Sequence, residues 1–159
     1  MAKKTKQSKT LPIYILTGPN LNLLGHREPE VYGYTTLAQI EQMCAAQAAS
    51  HGLSIVFRQS NREGEIVDHL QEARTAGSAV IINPAGYGHT SIAILDSIQA
   101  CGLPVIEVHL SNIHRREPYR NHSYVSKGAT GIIMGLGAQG YVRAVDAVAQ
   151  ILSAKGKKK

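Results

Sequence analysis

Five runs rich in Ile and Val alternate with segments whose apolar residues recur at helical spacing, and this alternation constrains the fold more than any other feature. The runs are Ile13–Thr17, Leu53–Arg58, Ala79–Asn83, Val105–Leu110 and Gly131–Gly135. They are nearly continuous, as parallel strands covered on both faces require. Between them lie four stripes: Leu37, Ile40, Cys44 and Ala48; Ile66, Leu70 and Ala73; Ile92, Leu95 and Ile98; Val142, Val145, Ala149 and Leu152. Such β-α repetition predicts an α/β, three-layer, doubly wound fold. Five parallel strands favour the flavodoxin-like order 2-1-3-4-5. Local punctuation agrees. Thr36 with Gln39, and Ser60 with Glu63, have capping-box spacing. Gly52, Gly77 and Gly102 stand where helices should stop.

The 159 residues suit one domain, expected over 11–154. The net charge of +6 belongs to the ends. Lys3, Lys4, Lys6 and Lys9 lie in segment 1–10, and Lys155, Lys157, Lys158 and Lys159 in segment 155–159. Between them, eight arginines and Lys127 face eleven acids, a body of −2. Both ends are expected to be solvated, disordered basic tails. No basic face falls on a predicted helix or strand, which argues against nucleic acid as the partner. No apolar run approaches the roughly 18 residues of a membrane span. Leu11 to Leu16 is too short for a signal-peptide core. Cys44 and Cys101 sit at apolar helix positions without metal spacing, and read as buried free thiols in a reducing, cytoplasmic setting.

In doubly wound sheets ligands bind beyond the carboxyl ends of the strands. Three connections there are unusual. Gly18 to Thr35 is longer than a turn needs and reads as a lid. Asn83 to His89 is rich in Gly and Pro, and Ser111 to Gly128 is long and polar. All three should open on one edge of the sheet.

The motif Gly135-x-Gly137-x-x-Gly140 matches a dinucleotide fingerprint but follows the last strand, with 19 residues remaining. A dinucleotide fold places that motif at its first strand, with an acid about 20 residues on. A tight strand-to-helix turn is the better reading. Glu107 and His109 lie two apart on strand four and therefore share a face. A carboxylate beside an imidazole favours the protonated ring and fixes its orientation, which suits a general acid. A structural ion pair is the plainer alternative. His114 and His122 suggest a metal with His109, but Arg115, Arg116 and Arg120 surround them and disfavour a cation.

Arg27 and Tyr32 occupy the first long loop. A phenol, with an ordinary pKa of about 10, is a poor base at neutral pH unless cationic charge stabilises the phenolate. Arg27 and Arg120 are the candidate cations. Asn83, His89 and Ser91 offer uncharged groups for hydroxyls or a carboxylate. A Schiff-base lysine outside the tails would have to be Lys127, in a polar loop without an apolar pocket signal.

Several motifs in order resemble the type II 3-dehydroquinate dehydratases. They are Gly18-Pro19-Asn20-Leu21-Asn22-Leu23-Leu24-Gly25; Arg27-Glu28-Pro29 with Tyr32-Gly33; Gln59-Ser60-Asn61 with Glu63-Gly64; Asn83-Pro84-Ala85-Gly86-Tyr87 with His89-Thr90-Ser91; Glu107-Val108-His109-Leu110-Ser111-Asn112; and Arg120 with His122-Ser123. The likeness runs from about Leu11 to Leu152. One departure is Gly88, where threonine commonly precedes the histidine.

This resemblance implies removal of water from 3-dehydroquinate through an enolate, with no metal, cofactor or Schiff base, as a cytoplasmic step of aromatic biosynthesis or quinate breakdown. By resemblance Tyr32 is the proton acceptor and His109 the proton donor. Arg27 stabilises the transition state, Glu107 orients His109, and Asn20 holds a water near the enolate oxygen. Asn83, His89 and Arg120 bind ring hydroxyls. Leu110 and Ser111 hold the carboxylate, and Asp96 reaches a neighbouring subunit's site. The implied assembly is a homododecamer built of trimers. Two other readings are a flavodoxin-like module that holds a nucleotide or flavin, and a polyanion binder resting on the tails alone.

Overall fold

The computed structural model describes residues 10–156. The predicted tails lie largely outside them, in 1–9 and 157–159. The order of elements is β1 (Ile13–Thr17), α1 (Pro29–Tyr32), α2 (Leu37–Ser50), β2 (Ile55–Gln59), α3 (Glu63–Ala76), β3 (Ala79–Asn83), α4 (Ile92–Cys101), β4 (Val105–His109), β5 (Gly131–Met134) and α5 (Gln139–Gly156). Short 3-10 turns fill the connections after β1, β3 and β4. The five strands pair in parallel in the order β2-β1-β3-β4-β5, as predicted.

Strand composition sorts centre from edge. Every residue of β1, β3 and β4 is buried, whereas β2 and β5 are half-covered. Side-chain alternation then divides the core. Ile13 and Ile15 of β1 pack with Ile40, Cys44, Val145 and Val148 of α2 and α5. Tyr14 and Leu16 pack with Ile66, Leu70, Ile94 and Ile98 of α3 and α4. Helices cover both faces, giving three layers. Cys44 and Cys101 are free and buried, and burial pushes the Cys44 thiol up to about 12.

Boundaries shift where long-range or capping contacts compete. β2 begins at Ile55 and not at Leu53, because the Leu53 amide donates to the Ala48 carbonyl and closes α2. Thr36 and Gln39 form the predicted capping box. Ser60 and Glu63 do not. α3 starts after Arg62, which lacks a side-chain cap, because Ser60 Oγ accepts from the Arg62 amide at 2.9 Å. That same hydroxyl donates to Glu65, and Glu63 accepts from Ser91, the residue that caps α4. α5 runs to Gly156, two residues beyond the expected domain end.

Candidate active site

A pocket opens at the carboxyl ends of β1, β3 and β4, where the three unusual connections meet. Backbone contacts join them. The Gly18 amide donates to the Asn83 carbonyl at 2.8 Å, and the Tyr124 amide to the Gly88 carbonyl at 2.8 Å. Gly18 has to be glycine here, since a Cβ would stand 2.5 Å from the Pro84 carbonyl oxygen. Asn20, Glu28 and Ala85 are the non-glycine residues with positive φ among those described, and all three sit in these loops. Each such residue costs on the order of 1–3 kcal/mol, held only where the surroundings over-determine it.

The end of β4 carries the most constrained chemistry. Glu107 is fully buried and His109 is 5% exposed. His109 Nε2 donates to Glu107 Oε1 at 2.6 Å. Ser123 Oγ donates to the same oxygen at 2.6 Å, and Ser126 Oγ donates to the other. Burial alone would raise the Glu107 carboxyl, but the bonds from His109, Ser123 and Ser126 outweigh it and hold it below the ordinary carboxylate range. With Nε2 fixed, Nδ1 is the nitrogen left to exchange a proton in the pocket that His109 lines. The glycine motif secures this end of the strand. Gly135, at φ +85, donates to the His109 carbonyl at 3.2 Å, and Gly137 to the Leu110 carbonyl at 3.0 Å. The motif is a strand-to-helix turn, as predicted.

His89 faces His109, the rings 6.3 Å apart and 15° from parallel. Its Nδ1 donates to the His122 carbonyl at 2.7 Å, and His122 Nε2 donates back to the His89 carbonyl at 3.0 Å. Burial pushes the His89 imidazole below its ordinary value, and His109 and Arg120 push the same way against the His122 carbonyl. A neutral ring with Nδ1–H committed presents Nε2 as an acceptor for a hydroxyl. Position 88 is tight: a Cβ there would meet Pro84 Cγ at 2.9 Å and Ser123 Oγ at 3.3 Å.

The connection after β1 is less bare than a lid loop predicts. It contains a 3-10 turn, Leu21–Leu23, and the one-turn helix α1. Pro29 starts α1, and Gly33, at φ +82, ends it. Tyr32 is therefore the last residue of that turn, half-buried, its ring against the core under α2. Two guanidinium groups lie over the ring, Arg27 at 5.2 Å and Arg116 at 5.4 Å from its centroid. Arg120, the second cation expected near Tyr32, lies over Tyr119 at 5.3 Å and pairs with Glu117 at 2.8 Å, yet it remains close enough to Tyr32 for the two charges to interact.

Of the residues singled out in the sequence, Asn20, Arg27, Tyr32, Asn83 and His89 line the pocket. His109, Leu110, Ser111 and Arg120 line it too. Glu107 sits behind His109. Asp96 is exposed on α4, away from this pocket. Ser91 caps α4, accepting from the Ile94 amide at 2.9 Å, and is taken up by that contact. Lys127 places its ammonium 5.5 Å from the Tyr124 ring centroid and does not line the pocket.

Residues 11–149 match the family model described as Dehydroquinase class II. The chain belongs to the class II dehydroquinases. Among relatives of this dehydroquinase family, 3-dehydroquinate dehydratase of Streptomyces coelicolor is 58% identical over 144 residues, covering 90% of this chain and 92% of that protein. The protein of the same name from Phenylobacterium zucineum is 59% identical over 138 residues, covering 87% and 95%. The crystal structure of type II dehydroquinase from Propionibacterium acnes superposes with a TM-score of 0.85 at 40% identity, covering 89% and 97%.

Three side chains of this dehydroquinase site escaped the sequence reading. Arg116, beyond its place among three arginines that disfavour a metal, flanks Tyr32 and donates to Ser111 Oγ at 3.4 Å. Ser123 appeared only inside a motif, and Ser126 not at all. The available signal was the lone buried carboxylate of β4, which needs donors from somewhere.

Proposed function

We propose that this chain is a type II 3-dehydroquinate dehydratase, a hydro-lyase of the shikimate pathway, with Tyr32 and His109 as its proton-transfer pair. The observation that carries the assignment of roles is that both line one pocket, Tyr32 from the connection after β1 and His109 from the end of β4, each with its own charge partner: two guanidiniums over Tyr32, and a buried carboxylate on His109.

The tyrosinate removes the proton on the carbon next to the ketone, and the C–H electron pair moves into the carbonyl to form an enolate. Arg27 and Arg116 offset the negative charge at that end. The enolate then reforms the ketone while its electrons form the new carbon–carbon double bond and expel the hydroxyl. His109 supplies the proton that lets the hydroxyl leave as water. Glu107 holds the imidazole in place and balances its charge. The proton taken by Tyr32 and the one given by His109 are equal in number, so return through solvent resets the enzyme.

Neutral His89 and the Asn83 amide are placed to bind ring hydroxyls, Arg120 with them. Asn83 Oδ1 is occupied by the Ala85 amide at 3.1 Å, which leaves Nδ2 as the side chain's donor. Ser111 and the Leu110 backbone, beside Arg116, take the carboxylate. Asn20 holds a water at the enolate oxygen. Both transfers are made by side chains, and the reading requires no cofactor. No described helix is long and apolar enough to cross a membrane, and the proposed setting is the cytoplasm. The proposed assembly is a dodecamer of trimers, in which exposed Asp96 serves a neighbouring pocket. The proposed domain is 11–154, with basic tails on both sides.

The experiment is the appearance of conjugated enone absorbance from 3-dehydroquinate. Tyr32→Phe and His109→Ala should each lower kcat by about 10²–10⁴. Near-normal turnover in either variant overturns the assigned pair.

A further inference from the structure

The motif Gln59-Ser60-Asn61 plays no part in the chemistry described so far, yet it meets that chemistry at one atom. Asn20 lines the pocket in a left-handed conformation, φ 68 and ψ −5. Asparagine tolerates that conformation better than most L-residues, but it is still held there by its surroundings. The Asn20 amide donates to Asn61 Oδ1 at 3.0 Å. The same oxygen accepts from Gln59 Nε2 at 3.1 Å, and Gln59 Nε2 also donates to the Gly18 carbonyl at 3.2 Å. From the other side the Tyr87 hydroxyl donates to the Asn61 carbonyl at 2.8 Å. Asn61 is thus held from β2 and from the connection after β3, and it holds the backbone of Asn20 in turn. It does not itself line the pocket.

We infer that Asn61 is a positioning residue for the dehydration: its side-chain oxygen fixes the Asn20 backbone and so aims the Asn20 carboxamide at the water it holds by the developing enolate. The inference rests on the role proposed above for Asn20. A side chain that acts only through Asn20 has no route to the reaction once the Asn20 side chain is gone. Its effect falls on kcat, because the enolate charge is absent from the ground state.

The test is a double-mutant cycle on the full chain with 3-dehydroquinate. Asn20→Gly removes the carboxamide while tolerating positive φ, and should lower kcat by about 100-fold. Asn61→Ala should lower kcat on the order of tenfold with KM nearly unchanged, the loss expected of a misaimed group. In the Asn20→Gly background the same substitution should cost less than about twofold. Asn61→Asp keeps an acceptor oxygen and should stay within about threefold of the parent. Equal losses from Asn61→Ala in both backgrounds, or an Asn61→Asp loss as large as that of alanine, overturn the inference. An Asn20→Gly variant with unchanged kcat overturns instead the role of Asn20. If the alanine variant does not fold, Asn61→Leu keeps the volume without the acceptor and reads the same cycle.

Discussion

The proposed acid and the proposed base of this pocket stand on two very different supports. Glu107 and His109 belong to a central strand, and their bond is enclosed by Ser123 and Ser126. Tyr32 ends a four-residue helix between residues of positive φ, Glu28 and Gly33, and Arg27 lies just before it. The Arg27–Glu28 pair beside them is half-exposed, at 3.1 Å. Exposed pairs of this kind contribute about 0–1 kcal/mol. A buried carboxylate without its donors would cost several kcal/mol, on the order of 3–5. Stability and chemistry are therefore one problem at the end of β4 and two separate problems at α1.

The strongest way to break this comparison uses His109 and Glu107. His109→Ala removes a donor from a buried carboxylate, and Glu107→Gln converts an acceptor oxygen to a donor facing hydroxyls. Each should lower unfolding free energy by about 1–3 kcal/mol in denaturant melts. Tyr32→Phe, equally damaging to turnover, should change it by less than about 0.5 kcal/mol. If the phenylalanine variant is destabilised as much as the alanine one, the two supports are alike and the comparison fails.

The pH dependence of stability sharpens the same point. The folded Glu107 carboxyl lies below its ordinary value. Between the two values the unfolded chain binds more protons, so stability rises with pH. The contribution is full above the ordinary carboxylate value and is lost as pH falls through the lower, folded one. Melts at several pH values below about 5 should show this acid limb flattened in Glu107→Gln and intact in Tyr32→Phe.

A smaller effect separates the two guanidiniums over Tyr32. Arg27→Ala and Arg116→Ala should each lower kcat/KM by about tenfold, the scale of one desolvated cation–ring contact. The double variant should lose more than either. An inert Arg116→Ala would return the pairing to Arg27, with Arg120 as the remaining nearby charge.

The smallest effect is in hydrogen exchange. The amides of Val31, Tyr32 and Gly33 bond only within their own turn, to Glu28 and Pro29. They should exchange through local opening, far faster than those of Val105 to His109 in the sheet interior. Equal protection would mean that α1 opens only with the whole fold.

Much of this architecture is legible in the sequence because its causes are local. β1 and β3 begin and end at the predicted residues, since an Ile/Val run bounded by turn residues needs no distant information. Thr36 and Gln39 satisfy each other across one turn. Glu107 and His109 share a face because strand geometry alternates, whatever surrounds it. The errors have the opposite origin. Ser60 was drawn from its cap by Arg62 and Glu65, and Glu63 by a serine 28 residues away. Arg116 covers the Tyr32 ring unforeseen, because the connection after β4 has no period from which to read direction. The one-turn helix at Tyr32 was too short to leave a periodic trace.

By itself the sequence determined the layers, the strand order, the family and the bond between Glu107 and His109. Each of these follows from a period, a local spacing or an ordered set of motifs. Tertiary structure alone decided which donors satisfy Glu107, from 16 and 19 residues away, which arginine covers Tyr32, and how Asn61 holds Asn20 across 41 residues. Those contacts join side chains that no local rule relates. They exist because packing both faces of the sheet brings three connections to one edge, where buried polar groups must find partners.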